Sequence, residues 1–363
     1  MEKFISRNQI LVVLGVVFVL TLLIYVYNVF YDAKKDSTQY KGSKISRQSA
    51  VFDDPIPEEM IILKIAHNYP ESHPQHLALV EKFIPMVQEQ SSWKIRVETY
   101  PNNQLIGEKG YIQGVKHGTI EMCIGSQSVE DILPKMSIIK YPYIFDSYEQ
   151  AMNVLNGEFG NKIIEGMDAL GVRCLAWTLN GFRQISISQK DIPNKGYLRK
   201  PLLATAFSGI NLDTLKAMQF DALSLDVQDT AMALRQNVVD GHDSPPLLSY
   251  NNGWYNNQKK IIVTNHIISP TMYLISDKFW RSLSKEHREL IEKAAKESAA
   301  YEVKLLRKAE EDIFKALEQK GIEIEYPDIT VYKRTVSPLY NEWLNNNDEL
   351  KKLLNQLINE NNI

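Results

Sequence analysis

Between Ser284 and Lys320 the chain carries neither proline nor glycine, and charged side chains are laced among Leu290, Ile291, Ala294, Ala295, Leu305, Leu306, Ile313 and Leu317. A helix of about 37 residues at ~1.5 Å per residue extends ~55 Å, longer than one domain is wide. It must therefore brace two domains or enter a coiled coil. Charges fill the gaps between its apolar positions and break any sustained heptad, which favours the brace. Ser284 is the expected N-cap, and Gly321 marks the C-terminal stop.

A chain of 363 residues has room for the two domains such a helix implies. Met60–Ala66 is a short apolar run and Lys94–Tyr100 alternates, so both read as strands, with Glu121–Ile124 as a third. Helical spacing appears over His76–Gln88 and Tyr111–His117. Further on, Gly171–Ser188 contains two strand-like runs, and helices are expected over Leu212–Met218 and Val227–Gln236. Strands alternating with helices predict an α/β fold with βαβ units and a mainly parallel sheet.

Composition excludes several function classes. Forty-one basic side chains against 44 acidic ones leave a net charge of −3, with no basic excess to hold a nucleic acid. Cys123 and Cys174 each sit in an apolar stretch, as buried inert thiols do, and no CxxC or Cys/His spacing suggests a metal or redox centre. Gly125-Ser126-Gln127-Ser128 lacks the second glycine of a nucleophile elbow, and His73-x-x-His76 is not a zinc-protease motif. His67, His242 and His266 have no partner spacing that makes a catalytic set. No enzyme, cofactor or metal is expected.

Asn8–Tyr31 has no charged residue, and Ile10–Tyr27 is almost entirely aliphatic or aromatic. About 20 apolar residues span the hydrocarbon core of a bilayer. Bulky Tyr27, Phe30 and Tyr31 occupy its exit, where a cleaved signal peptide would carry small residues. Residues 1–31 are thus expected to be a signal anchor, with a cleaved signal peptide as the alternative; either way the body is exported. Residues 32–58, polar and closed by Pro55 and Pro57, read as a flexible stalk.

Five motifs then fall in one order. They are LKIAHNYPESHPQH (Leu63–His76), VETYPNNQLIGEKGYIQGVKHGTIEM (Val97–Met122), YPYIF (Tyr141–Phe145), NGFRQ (Asn180–Gln184) and ALRQNVVDGHDSP (Ala233–Pro245), with Thr264-Asn265-His266 after them. Together they resemble the DctP-type solute-binding proteins of TRAP transporters over about residues 60–345. The resemblance implies two α/β lobes joined by crossing strands, with a long helix along both and a ligand cleft between them. The expected bilobal domain is 59–345, with lobe I about 59–180 plus 270–310 and lobe II about 181–269 plus 311–345; residues 346–363 read as a polar tail. The implied partners are a small organic solute and the small and large TRAP membrane subunits, with the membrane itself held through the N-terminal helix. A membrane-anchored sensor or scaffold of the same fold is the alternative.

The resemblance also implies cleft residues. Arg183 matches a family arginine that reaches the ligand, where its planar fork suits a carboxylate; the competing role is a structural arginine in a salt bridge. A second family arginine, the usual partner of the ligand carboxylate, falls on Ala204, and Arg199 replaces it only if a gap is introduced. The motif asparagine becomes Ser244. Asn68, Ser126, Phe207 and Val227 fall on further cleft positions, although Phe207 and Val227 suit core packing equally. Loss of the second arginine predicts a ligand of lower charge than a standard dicarboxylate, or a larger one filling space at Ala204 and Ser244.

Overall fold

The computed structural model describes residues 60–105, 107–125, 133–188, 200–206, 209–344 and 348–361. The chain divides into two compact units, Met1–Pro57 and Glu58–Ile363, and the described residues all fall in the second. The expected anchor and stalk, Ser126, Arg199 and Phe207 lie outside the described residues. Among the described residues, no helix is long and apolar enough to cross a membrane.

Two sheets are present. The first has the order β2-β1-β3-β10-β4, formed by β1 (Ile61–Ala66), β2 (Ile95–Tyr100), β3 (Met122–Gly125), β10 (Ile268–Ser276) and β4 (Val172–Phe182). In it β1 pairs in parallel with β2 and β3, while β10 runs antiparallel to both β3 and β4. The second sheet has the order β11-β9-β5-β8-β6-β7, formed by β11 (Glu323–Glu325), β9 (Lys260–Ile262), β5 (Gln184–Ile187), β8 (Gly241–Ser244), β6 (Leu202–Thr205) and β7 (Asp221–Ser224). Both sheets are mixed rather than mainly parallel, because one linking strand in each, β10 in the first and β5 in the second, runs antiparallel to its neighbours.

Those links define the architecture. β4 belongs to the first sheet and continues through Arg183 into β5 of the second; β9 returns through residues 263–267 into β10. The two crossings lie side by side, with Ile268 opposite Phe182 and the Arg183 N–H donating to the Ile267 carbonyl at 2.8 Å. Gly181 takes φ +102° at the bend, a conformation that side chains disfavour. On the partner strand the register shifts between Ile268 and Pro270, where the proline has no N–H to give the ladder.

The long helix runs Lys285–Gln319, capped by Ser284 accepting the His287 N–H at 3.2 Å and followed by Gly321 at φ +82°. Its first half packs Ile291, Ala294, Ala295 and Ala299 with Leu63, Phe83 and Tyr273 of the first sheet's layer. Its second half places Leu306, Ile313 and Leu317 in a cluster that includes Trp177 and Ile261, from β4 and β9. The helix is the expected brace, touching elements of both sheets.

The C-terminal segment corrects an expectation. Residues read as a polar tail contain the helix Asp348–Asn361, which buries Leu350, Leu353, Leu354 and Leu357. These leucines recur at three- and four-residue spacing and make one apolar face, masked in the sequence by the surrounding asparagines.

Candidate functional site

The carboxyl end of β1 leads into His67, Asn68 and Tyr69, and then into a helix that starts at Pro74. His73 caps that helix by accepting the Gln75 N–H at 3.1 Å, and Gln75 Nε2 donates to the Leu179 carbonyl of the crossing strand at 3.1 Å. A side-chain hydrogen bond also joins His73 to Asn180. His67 Nε2 lies 3.2 Å from His76 Nδ1 and 3.3 Å from Thr99 Oγ1. Burial, and then the neighbouring imidazole, push His67 and His73 down to about 3, so both are neutral near pH 7. Three histidines here make a neutral hydrogen-bonding wall, not a cationic one. Among the described residues no His, Cys, Asp and Glu cluster could hold a metal ion.

On the other side stands Arg183, 2% exposed. Its Nε donates to Asp243 Oδ1 and Oδ2 at 2.9 and 3.0 Å, and its Nη2 reaches Oδ2 at 2.9 Å and Thr205 Oγ1 at 3.2 Å. Thr205 Oγ1 also donates to Asp243 Oδ2 at 2.9 Å, and His266 Nε2 lies 3.1 Å from Oδ1. Burial opposes ionisation of Asp243, but the Arg183 guanidinium and His266 outweigh it and hold the carboxyl below the usual range. The sheet register brings these groups together: Thr205 pairs with Asp243 across β6–β8, and Ile185, two residues after Arg183, pairs with Asp243 across β5–β8. The structure therefore gives Arg183 a salt-bridge partner inside the protein.

The other expected residues separate. Ser244 ends β8 opposite Gln184, and its buried Oγ has no hydrogen-bond partner among the described residues. Asn68 is half-buried, and its Oδ1 is likewise buried without a partner. Ala204 does not open onto free space. It is 1% exposed and sits in an apolar cluster with Ala233, Leu234, Val239 and Trp254, against which Val227 also packs. The expected room at Ala204 is thus filled by core, because alternation on β6 sends Ala204 to the face opposite Thr205. His242, next to Asp243, is also structural: Ser186 Oγ and Ser249 Oγ flank its ring at 2.8 and 2.9 Å, and burial pushes it down to about 3.

Sequence reasoning missed the partners Asp243, Thr205 and His266. Little signal was available, because Asp243 sits in the polar run His242-Asp243-Ser244, which reads as exposed although all of β8 is buried. Once buried, its carboxylate requires a compensating cation. It also missed Glu302 and Glu310 on the long helix, both buried. Thr178 Oγ1 donates to Glu302 Oε2, and Tyr148 Oη donates to Glu310 Oε2 at 2.6 Å. Burial pushes Glu302 up to about 8 and Glu310 up to about 7.

Two mixed sheets joined by paired crossing strands and spanned by one helix, with polar groups collected around the crossing, give the two-lobed architecture of a solute-binding protein. The chain belongs to the bacterial extracellular solute-binding proteins of family 7, the DctP family, whose pattern it matches over residues 65–347. An uncharacterized protein of Haemophilus influenzae is 35% identical over 266 residues, 73% of this chain and 81% of that one. A TRAP periplasmic solute binding protein from Haemophilus influenzae, solved with L-gulonate bound, shares 32% identity with a TM-score of 0.74, covering 82% of this chain and 98% of the other. The C4-dicarboxylate-binding protein DctB of Bacillus subtilis is 26% identical over 254 residues, 69% of this chain and 72% of that protein. The chain is accordingly the extracytoplasmic solute-binding component of a TRAP-type transporter and not an enzyme, and the sensor alternative is not favoured.

Proposed function

We propose that the solute is a small polyhydroxylated monocarboxylate of the sugar-acid type, taken up between the His67–Asn68 loop and the carboxyl ends of β6 and β8. The carrying observation is the pair of buried oxygens, Asn68 Oδ1 and Ser244 Oγ, that lack partners among the described residues. Buried polar atoms in native proteins are rarely left unpaired, so a ligand or ordered water is the expected partner. Both accept from hydroxyl groups, and Ser244 also donates to them. The neutral histidine wall and the apolar burial of Ala204 leave Arg183 as the expected cationic residue, which disfavours a dicarboxylate. In this reading Arg183, held by Asp243 and Thr205, supplies the positive field that favours the single carboxylate. L-gulonate, the ligand of the 32%-identical relative, has this chemistry.

Ser126, Phe207 and Val227 are proposed as further lining residues on the family resemblance alone. The apolar run Ile10–Val29 is proposed to hold the receptor at the outer face of the cytoplasmic membrane, where the small and large membrane subunits would receive the solute. Calorimetric titration with L-gulonate, D-glucuronate, succinate and malate tests the ligand class. Tighter binding of the two sugar acids is expected; preference for either dicarboxylate overturns the reading.

A further inference from the structure

Relative motion of the two sheets must be absorbed where the chain crosses between them, and β4 is the longer of the two crossing strands. The long helix lies along β4 and grips it with two carboxyl groups. Glu302 holds Thr178 through its hydroxyl, and a backbone hydrogen bond from Leu179 reaches the same carboxyl. Glu310 holds the strand's end through Tyr148, whose hydroxyl donates to Glu310 Oε2 while accepting the Phe182 N–H at 3.1 Å. The spacings match. Four strand residues from Thr178 to Phe182 cover about 13 Å, and eight helical residues from Glu302 to Glu310 cover about 12 Å. Gly181 makes the second grip fit, since a Cβ there would lie 2.5 Å from Glu310 Oε1.

We propose that Glu302 and Glu310 form a proton-controlled latch between the long helix and the crossing strand, firm while both carboxyls are protonated and loosened when either ionises. Among the described residues Arg307 is the cation that acts on Glu310, and none acts on Glu302. Glu310 adds to the cost of ionising Glu302. The Thr178 hydroxyl and Leu179 N–H at Glu302, and the Tyr148 hydroxyl and Arg307 at Glu310, favour the ionised forms, but burial outweighs them at both sites. The titratable groups facing them from packed elements are phenols: Tyr148 from the helix Tyr148–Leu155, Tyr255 beyond β8, and Tyr273 from β10. His76, on the helix beginning at Pro74, is held neutral by burial, while Glu81 in the following turn is bonded to Tyr301. Ionisation leaves Oε1 of each glutamate, which has no hydrogen-bond partner among the described residues, as a buried anionic oxygen. The stabilising response is to part helix from strand and admit water. A groove of about 440 Å³ lined by Tyr148, Glu149, Val303, Lys304 and Arg307 already brings solvent to the Tyr148 side.

The latch is tested without ligand, so its failure leaves the solute-capture proposal standing. Spin labels at Ser92→Cys and Asp221→Cys, one beside each sheet, report the separation in the full chain carrying Cys123→Ala and Cys174→Ala. The label distances should divide into a latched and an unlatched population. Between about pH 6 and pH 9 the ratio of these populations should change by up to about tenfold for each unit by which a carboxyl's pKa differs between the two states. Adding Glu302→Gln and Glu310→Gln together should abolish the change. A flat response in the labelled parent, or an undiminished response in the double glutamine variant, overturns the latch. Should the variants fold poorly, infrared titration of the parent decides. A protonated buried carboxyl band must disappear over the same pH range, and its absence at the acid end overturns the proposal.

Discussion

Asp243 receives both the Nε and the Nη2 hydrogens of Arg183 at 2.9–3.0 Å, with each side chain at most 3% exposed. Two strands of the second sheet are joined by this pair where the first crossing strand enters it. Removing the carboxylate leaves a buried guanidinium without its counter-charge, and such losses cost about 3–5 kcal/mol. Asp243→Ala should lower stability by roughly that amount in urea denaturation. Because the folded Asp243 carboxyl is held below its unfolded value, its contribution is present above the unfolded pKa and disappears as pH falls toward the folded one. The difference between parent and variant should therefore shrink in acid.

The polar contacts expected to meet ligand hydroxyls differ in kind from that pair. Ser244→Ala removes a buried oxygen that has no hydrogen-bond partner among the described residues, so folding should change little. Affinity for L-gulonate should fall about 2- to 10-fold, the value of one neutral hydrogen bond. Asn68→Ala should behave alike. Calorimetry with each variant checks this, and unchanged affinity in both would remove these residues from the site.

Much of the fold was legible because its signals are periodic. The β1 run, the alternation of β2, and the unbroken helix with its Ser284 cap all stand where hydrophobic spacing and capping chemistry put them. The site was less legible because its geometry depends on register. No spacing in the sequence reveals that Thr205, Asp243 and Arg183 converge, since they come from β6, β8 and the link between β4 and β5. Glu302 and Glu310 were hidden differently. They occupy the same three-and-four-residue stripe as Ser298, Leu306 and Ile313, yet in a helix full of solvated charges nothing but that phase distinguishes them. Arg183 could be located by motif, whereas its salt bridge became visible only with the sheet.

Protonation of Glu302 should leave a mark on folding itself. Its carboxyl is raised by burial from the ordinary 4.5 to about 8, so the folded state holds the extra proton between those values. Stability should then decline as pH rises from about 5 to about 8 and level off above. Glu302→Gln keeps the shape without the ionisation and should flatten that decline. Urea midpoints at several pH values measure it; equal slopes in parent and variant would show that Glu302 does not titrate there.

If Ile10–Val29 is a retained anchor, alkaline carbonate should leave the native protein with the membrane fraction. A version in which residues 1–31 are replaced by a cleavable signal peptide should appear in the soluble exported fraction. Release of the native protein by carbonate, with a new N-terminus after residue 31, would make the segment a cleaved signal peptide instead.

Ala204→Arg separates what the motif suggests from what the packing permits. By motif, an arginine here restores a family cation and should strengthen binding of carboxylates. By structure, residue 204 faces Ala233, Leu234, Val239 and Trp254 and is 1% exposed. A guanidinium forced among them has no counter-charge in that cluster, and overpacking alone costs about 1–3 kcal/mol. The two demands conflict unless Trp254 moves away, and its T-shaped contact with His242 at 5.1 Å opposes that. Ala204→Arg should therefore lower the urea midpoint and leave L-gulonate affinity no better than the parent's. The paired variant Ala204→Arg/Trp254→Ala, which makes room for the side chain, should recover part of the stability lost relative to Trp254→Ala alone. Calorimetry and urea titration of all four proteins decide between the accounts. Tighter carboxylate binding by Ala204→Arg at unchanged stability would show that residue 204 reaches the cleft and that its apolar surroundings yield.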